Sequence, residues 1–173
     1  YSRSVIFDAI KDEELNPDSS VVLAPDMGSV KMSQGYAKNL GMNFAIIDKR
    51  RYAHNKTHVS HLIGELNNRD VLIIDDMIDT AGTLVNAAKA AFEKGAKSVT
   101  AIATHGVLSG AAIERLEKSQ INKIIVTDTI EISKEKIIDK VKIVSVSKVF
   151  SEAVSRIHKG ESVSALFEFQ KGD

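Results

Sequence analysis

Residues 71–83 read VLIIDDMIDTAGT, an apolar run that ends in two acids and passes through a turn of small residues. An apolar, β-branched run without polar alternation is the pattern of a strand buried on both faces. Beyond the turn, Leu84, Ala87, Ala88 and Ala91 recur at helical spacing, and Gly95 follows Lys94 as a stop signal. The segment therefore reads as strand, turn, helix, and the rest of the chain repeats that theme. Further strands are expected at 20–24 (SVVLA), 44–48 (FAIID), 98–104 (SVTAIAT), 121–127 (INKIIVT) and 142–147 (KIVSVS), with the strand of the opening segment at 70–75. Helices are expected at 30–40, closed by Gly41, at 109–118, at 148–159 and, leading the chain, at 4–14. Such alternation implies an α/β fold with a mostly parallel sheet and helices on both faces. In sheets of this kind ligands bind at the carboxyl ends of strands, so the loops that follow strands hold the candidate residues.

With 173 residues, 43% of them hydrophobic and 27% charged, the chain can bury a core and reads as one domain over 1–173. The 23 basic and 23 acidic residues balance, so no overall positive field draws it to nucleic acid or to a membrane surface. Anion binding must be local. Cysteine is absent, which removes disulfides, thiolate metal sites and a Cys nucleophile; a cytoplasmic location is the expectation. No apolar stretch approaches the length of a membrane span, and the first residues carry acids where a signal peptide would be apolar. The segment KRRYAHNKTHVSH, residues 49–61, follows a strand without sustained apolar periodicity and is expected to be a mobile loop. His54, His58 and His61 within it, with His105 and His158 far off in sequence, read as solvated residues rather than a zinc site.

The acids and the turn of the opening segment each have a chemical use. Small residues at a helix N-terminus offer backbone N–H groups, the hydroxyls of Thr80 and Thr83, and the positive end of the helix dipole, a combination suited to phosphate. Gly82 would allow close backbone approach. Asp75 and Asp76 can accept hydrogen bonds from paired ribose hydroxyls, or serve a divalent cation directly or through water. A plainer alternative stands beside this one: Asp79 caps the helix and the two acids are a solvated strand end. No Gly-x4-Gly-Lys-Ser/Thr or Gly-x-Gly-x-x-Gly stretch competes as a phosphate loop.

DDMIDTAGT, residues 75–83, is similar to the phosphoribosyl-pyrophosphate motif of type I phosphoribosyltransferases and their relatives. Three other stretches, AIIDKRR at 45–51, ATHGVLSGAAIERL at 103–116 and RIHKGESVSALF at 156–167, resemble ribose-phosphate pyrophosphokinases. The likeness covers most of this chain but only the C-terminal half of a family member, without the N-terminal half that contributes to the ATP site. It implies a type I phosphoribosyltransferase-like fold, and transfer of diphosphate from ATP to the C1 hydroxyl of ribose 5-phosphate, with Mg2+ as cofactor and homo-oligomers as the assembled form. This half alone is then expected to be inactive. The resemblance implies that Asp75 and Asp76 hold the ribose hydroxyls and that Asp79, Thr80, Ala81, Gly82 and Thr83 cradle the 5-phosphate. Lys49 and Arg51 are by the same resemblance the catalytic pair, His105 lies beside the active centre, and Ser162, Val163 and Ser164 form a regulatory phosphate site. The loop with Asp26, Gly28 and Ser29 matches the pyrophosphate loop, with Asp26 as metal ligand.

Where the family reads Gly-Gly-Val-x-Arg-Ala-Arg, this chain has Gly28-Ser29-Val30-Lys31-Met32-Ser33-Gln34. Lys31 replaces one charge, though without the planar fork of an arginine. The departures motivate a second expectation, a non-catalytic regulatory relative that binds ribose phosphates. A third, a base phosphoribosyltransferase, is opposed by the synthetase-like tail. Leu166, Phe167 and Phe169 are apolar enough to pack on a neighbouring subunit or back on this chain.

Overall fold

The computed structural model describes residues 3–166 except 51–58, and only the backbone at 48–50, 59–60 and 165. Seven strands form one sheet: β1 (Ser20–Ala24), β2 (Asn43–Arg50), β3 (Val59–Ile63), β4 (Asp70–Ile78), β5 (Ser98–Gly106), β6 (Lys123–Thr127) and β7 (Val141–Val144). Five α-helices accompany them: α1 (Arg3–Lys11), α2 (Val30–Leu40), α3 (Gly82–Glu93), α4 (Ala112–Lys118) and α5 (Ser147–Lys159). The sheet order is β3-β2-β1-β4-β5-β6-β7, parallel throughout except for β3, which pairs antiparallel with β2.

The apolar runs dictate this arrangement because their alternate residues need cover on both sides. Val71 and Ile73 of β4 join a cluster with Leu84, Ala87, Ala88 and Ala91 of α3 and with Ala112 and Leu116 of α4. Leu72 and Ile74 face the opposite way and pack with Ile6, Phe7 and Ile10 of α1 and with Tyr36 and Ala37 of α2. All five residues of β1 are buried. The alanine row on α3 lets its backbone lie close to the strands, while α2 stops at Gly41, which takes the left-handed conformation. α5 differs, with no buried residue along its length and Phe150, Val154 and Ile157 all more than 60% exposed.

Several expectations need correction. Residues 49–61 are not one loop: Lys49 and Arg50 extend β2, and Val59, Ser60 and His61 belong to β3, paired as Lys49↔Ser60 and Arg50↔Val59. The remainder of that loop, with Arg51, His54 and His58, lies outside the described residues. Polar side chains hid the edge pair because an edge strand need not carry an apolar face. The fourth helix begins at Ala112 rather than 109, and the last strand ends at Val144 rather than 147. β4 and β5 also run longer than expected, to Ile78 and Gly106, so the acids at 75 and 76 lie within a paired strand.

β3 ends against Gly64, whose φ is +118° and where an added Cβ would stand 2.6 Å from Ala45 Cβ and 2.9 Å from Ala45 Cα. Backbone and conformation both exclude a side chain, and the clash falls on β2, the strand that carries Lys49. Gly64→Ala should therefore cost about 3 kcal/mol in denaturant unfolding, the sum of a positive-φ penalty and overpacking. A variant unfolding at the wild-type midpoint would contradict the close contact.

Candidate functional site

The strand order reverses direction at β1: successive strands run outward to β2 on one side and β4 to β7 on the other. Crossovers leave the sheet on opposite faces at such a point, so the loops after β1 and β4 diverge and open a crevice between them. The β1 loop brings Asp26, Gly28 and Ser29, while β4 brings Asp75 and Asp76. In the β1 loop, Ser29 N–H donates to Asp26 Oδ1 at 3.1 Å and Ser29 Oγ–H donates to the Asp26 carbonyl at 3.0 Å. Both hold the loop in shape and leave the second carboxylate oxygen of Asp26 for other work.

Asp75 is half-buried, and its carboxyl is pushed up to about 6. Burial is the largest cause; the negative charges of Asp76 and Asp26 add to it, while the Asp76 N–H, which donates to Asp75 Oδ1 at 2.9 Å, opposes it. Three carboxylates from neighbouring parallel strands thus share one field. Nothing in the described chain neutralises them through an ion pair. Their mutual repulsion would be relieved by a cation or by hydroxyl donors.

The turn beyond β4 is not the cap that a plain helix start would use. Ala81 occupies the N-cap position of α3 in the left-handed conformation, φ +61°, and no side chain caps the helix. The Asp79 carboxylate instead accepts a short hydrogen bond from Ser109 Oγ. The first N–H groups of α3 are therefore left for an external acceptor, with the positive end of the helix behind them. Gly82 does not supply the positive φ of the turn, and a Cβ there would meet only Thr80 Oγ1 at 3.8 Å. The space that this Cβ would occupy lies beside the uncapped N–H groups.

Several other expected residues fall near or outside this crevice. Lys49 lies three residues beyond Ile46, the partner of Ala24, so β2 carries it past the end of β1 by about 10 Å of extended chain. His105 is level with Met77 of β4, and its Nδ1 bonds Thr129 Oγ1 at 2.8 Å. A cavity of about 380 Å³ beside it is lined by Asp76, Thr104, Thr129, Val149 and Phe150 among others. Ser162, Val163 and Ser164 follow α5; Arg156 Nη1 donates to the Ser162 carbonyl at 3.3 Å, and Leu166 N–H donates to the Val163 carbonyl at 3.0 Å. Leu166 packs back towards α1 and α5, while Phe167 and Phe169 lie outside the described residues. Sequence reading missed Ser109 and Arg115, which reach the turn from 30 and 35 residues away. Only the adjacency of β4 and β5 brings them there.

A family model described as the phosphoribosyl synthetase-associated domain matches residues 51–168. A ribose-phosphate pyrophosphokinase of Caldanaerobacter subterraneus subsp. tengcongensis is 51% identical over 90% of this chain and 49% of its own length. That of Chlorobaculum tepidum is 46% identical over 97% of this chain and 51% of its own length. The chain spans about half the length of the curated relatives it matches. Among solved structures, the phosphoribosylpyrophosphate synthetase of Mycobacterium smegmatis superposes with a TM-score of 0.83 at 28% identity, covering 92% of this chain and 51% of that one.

The raised carboxyl of Asp75 has a measurable sign. Its folded value, about 6, exceeds its ordinary 3.8, so the folded state binds the extra proton between those values and the chain loses stability as pH rises through them. Asp75→Asn should raise the melting temperature of the ligand-free chain at pH 7.5 by a few degrees, with the advantage over wild type shrinking towards zero near pH 4. A difference independent of pH would contradict the crowding of charge.

Proposed function

The chain belongs to the phosphoribosyl synthetase-associated domain family, and on that premise we propose that it forms the ribose 5-phosphate half of a ribose-phosphate pyrophosphokinase. Joined to the half that its relatives carry and this chain does not span, it would transfer diphosphate from ATP to the C1 hydroxyl of ribose 5-phosphate and release AMP. The observation that carries the proposal is the uncapped N-terminus of α3 set immediately after two acids at the strand-order reversal. One end suits a dianion and the other suits hydroxyl donors, which is the polarity of a sugar phosphate. The Asp75 and Asp76 carboxylates would accept from the ribose hydroxyls, and the N–H and hydroxyl groups of residues 80–83 would receive the 5-phosphate.

Mg2+ fits the donor set. No group of three or more His, Cys, Asp or Glu converges among the described residues, so a closed protein cage is not what the chain offers. Hard oxygen ligands from one carboxylate, completed by water and substrate oxygens, are the usual Mg2+ arrangement, and Asp26 is the candidate that faces the crowded acids. Bound there, the ion would supply charge neutralisation for the transferring phosphoryl groups. Lys49 and Arg51 complete the proposal as the cations that meet the polyphosphate. Self-association belongs to it too, and is supported by the exposed apolar row Phe150, Val154 and Ile157 on α5.

Met32 and Gln34 favour one other possibility, a non-catalytic relative that binds ribose phosphates. Met32 is partly buried against the core and Gln34 is exposed, so neither offers the charge of the arginines found there in the family. The two possibilities separate by assaying this chain as one polypeptide with the N-terminal half of a catalytic relative. AMP release that depends on ribose 5-phosphate, and falls by about 100-fold in Lys49→Ala with ribose 5-phosphate affinity kept, is the expected result. A folded polypeptide that binds both substrates without releasing AMP would favour the non-catalytic relative.

A further inference from the structure

The phosphate turn is held from behind by one segment. Leu108 N–H donates to the Ile78 carbonyl at 3.0 Å, Ser109 N–H donates to the Asp79 carbonyl at 3.1 Å, and Arg115 Nη1 donates to the Thr80 carbonyl at 2.8 Å. Three successive carbonyls therefore point to the stretch that runs from the end of β5 into α4. No cis peptide bond occurs in the described chain. In a trans peptide the N–H of the next residue is antiparallel to the carbonyl before it. Fixing the carbonyls of Ile78, Asp79 and Thr80 on the α4 side thus aims the N–H groups of Asp79, Thr80 and Ala81 to the other side. Consecutive N–H groups converging on one side make an anion-binding concavity.

Two of the three rungs are backbone bonds that any residue would make. The third is not. The Thr80–Ala81 peptide joins an exposed threonine to an alanine held at φ +61°, a conformation disfavoured for a residue with a side chain. The Arg115 guanidinium is the group that the structure shows on that peptide, and a charged donor makes the stronger kind of hydrogen bond. The Ser109 hydroxyl adds a further tie by occupying the Asp79 carboxylate, which would otherwise be free to turn its negative charge towards the anion.

We propose that Arg115 is a positioning residue of the phosphate turn, acting through the Thr80 carbonyl to aim the Ala81 N–H at the ligand, with Ser109 turning the Asp79 carboxylate away from it. Arg115 is itself exposed, and its guanidinium meets the turn at the Thr80 carbonyl. Its cationic charge and its reach along the first turn of α4 are what the role needs. The proposal rests on the sugar-phosphate assignment for its purpose, but the orientation of the peptide can be measured without any ligand.

The test compares wild type, Arg115→Gln and Arg115→Lys by calorimetric titration with ribose 5-phosphate and by backbone amide order parameters of Thr80, Ala81 and Gly82 in the free chain. Arg115→Gln should weaken ribose 5-phosphate binding by about tenfold, the loss of one charged hydrogen bond, with the melting temperature nearly unchanged. It should lower the order of Thr80 and Ala81 only, and Arg115→Lys should recover most of both. Wild-type affinity and wild-type order in Arg115→Gln would overturn the proposal, as would a loss of affinity that merely follows a loss of stability. If wild type itself fails to bind ribose 5-phosphate, the sugar-phosphate assignment falls separately. The order parameters then decide: lost order at Ala81 in Arg115→Gln supports the brace, and unchanged order overturns it.

Discussion

The half-buried carboxyl of Asp75, crowded by Asp76 and Asp26, is the constraint around which the site is organised. A parallel sheet delivers strand ends to one edge, and at the reversal between β1 and β4 it delivers acids from both sides into a partly buried crevice. Burial raises the energy of the Asp75 charge, and its acidic neighbours raise it further. A chain gains nothing in stability from this, since Asp75 carries its penalty throughout neutral pH. Stability lost where polar groups converge marks a place shaped for a ligand, in keeping with perturbed acids gathering at functional sites.

The packing supplies the rigidity that such crowding requires. β4 is covered on one face by α3 and α4 and on the other by α1 and α2, with Val71, Leu72, Ile73 and Ile74 all fully enclosed. An acid at the end of so confined a strand cannot relax its backbone to escape its neighbours. The same strand continues into the turn, whose carbonyls are tied to the segment after β5, so the acids and the N–H groups are held by one element in a fixed relation. That relation gives the crevice a negative end and a positive end a few residues apart, the polarity of a sugar phosphate.

How much of this was legible in the sequence depends on how local the signal was. β1 and α2 appear with the boundaries that the apolar runs and Gly41 indicate, because each is bounded by residues that decide the matter within a few positions. The edge strand β3 was hidden, since VSHLI alternates weakly and reads as loop beside basic and histidine residues. The acids and the turn were identified from residues 71–83 alone. What local reading could not supply was the role of each member: the helix is capped by no side chain, Asp79 turns to Ser109, and the unusual φ belongs to Ala81 rather than Gly82. Those outcomes follow from residues 30 or more positions away, which only the pairing of β4 with β5 brings within reach.

The most direct measurement is a calorimetric titration of this chain with ribose 5-phosphate, and with ribose, at neutral pH in the presence of Mg2+. For an uncapped helix end proposed to receive a phosphate, next to acids proposed to receive hydroxyls, the expected result is saturable 1:1 binding of ribose 5-phosphate and affinity for ribose weaker by at least about a hundredfold, as several charged hydrogen bonds require. Equal affinity for the two sugars, or no binding of ribose 5-phosphate by the folded chain, would contradict the account.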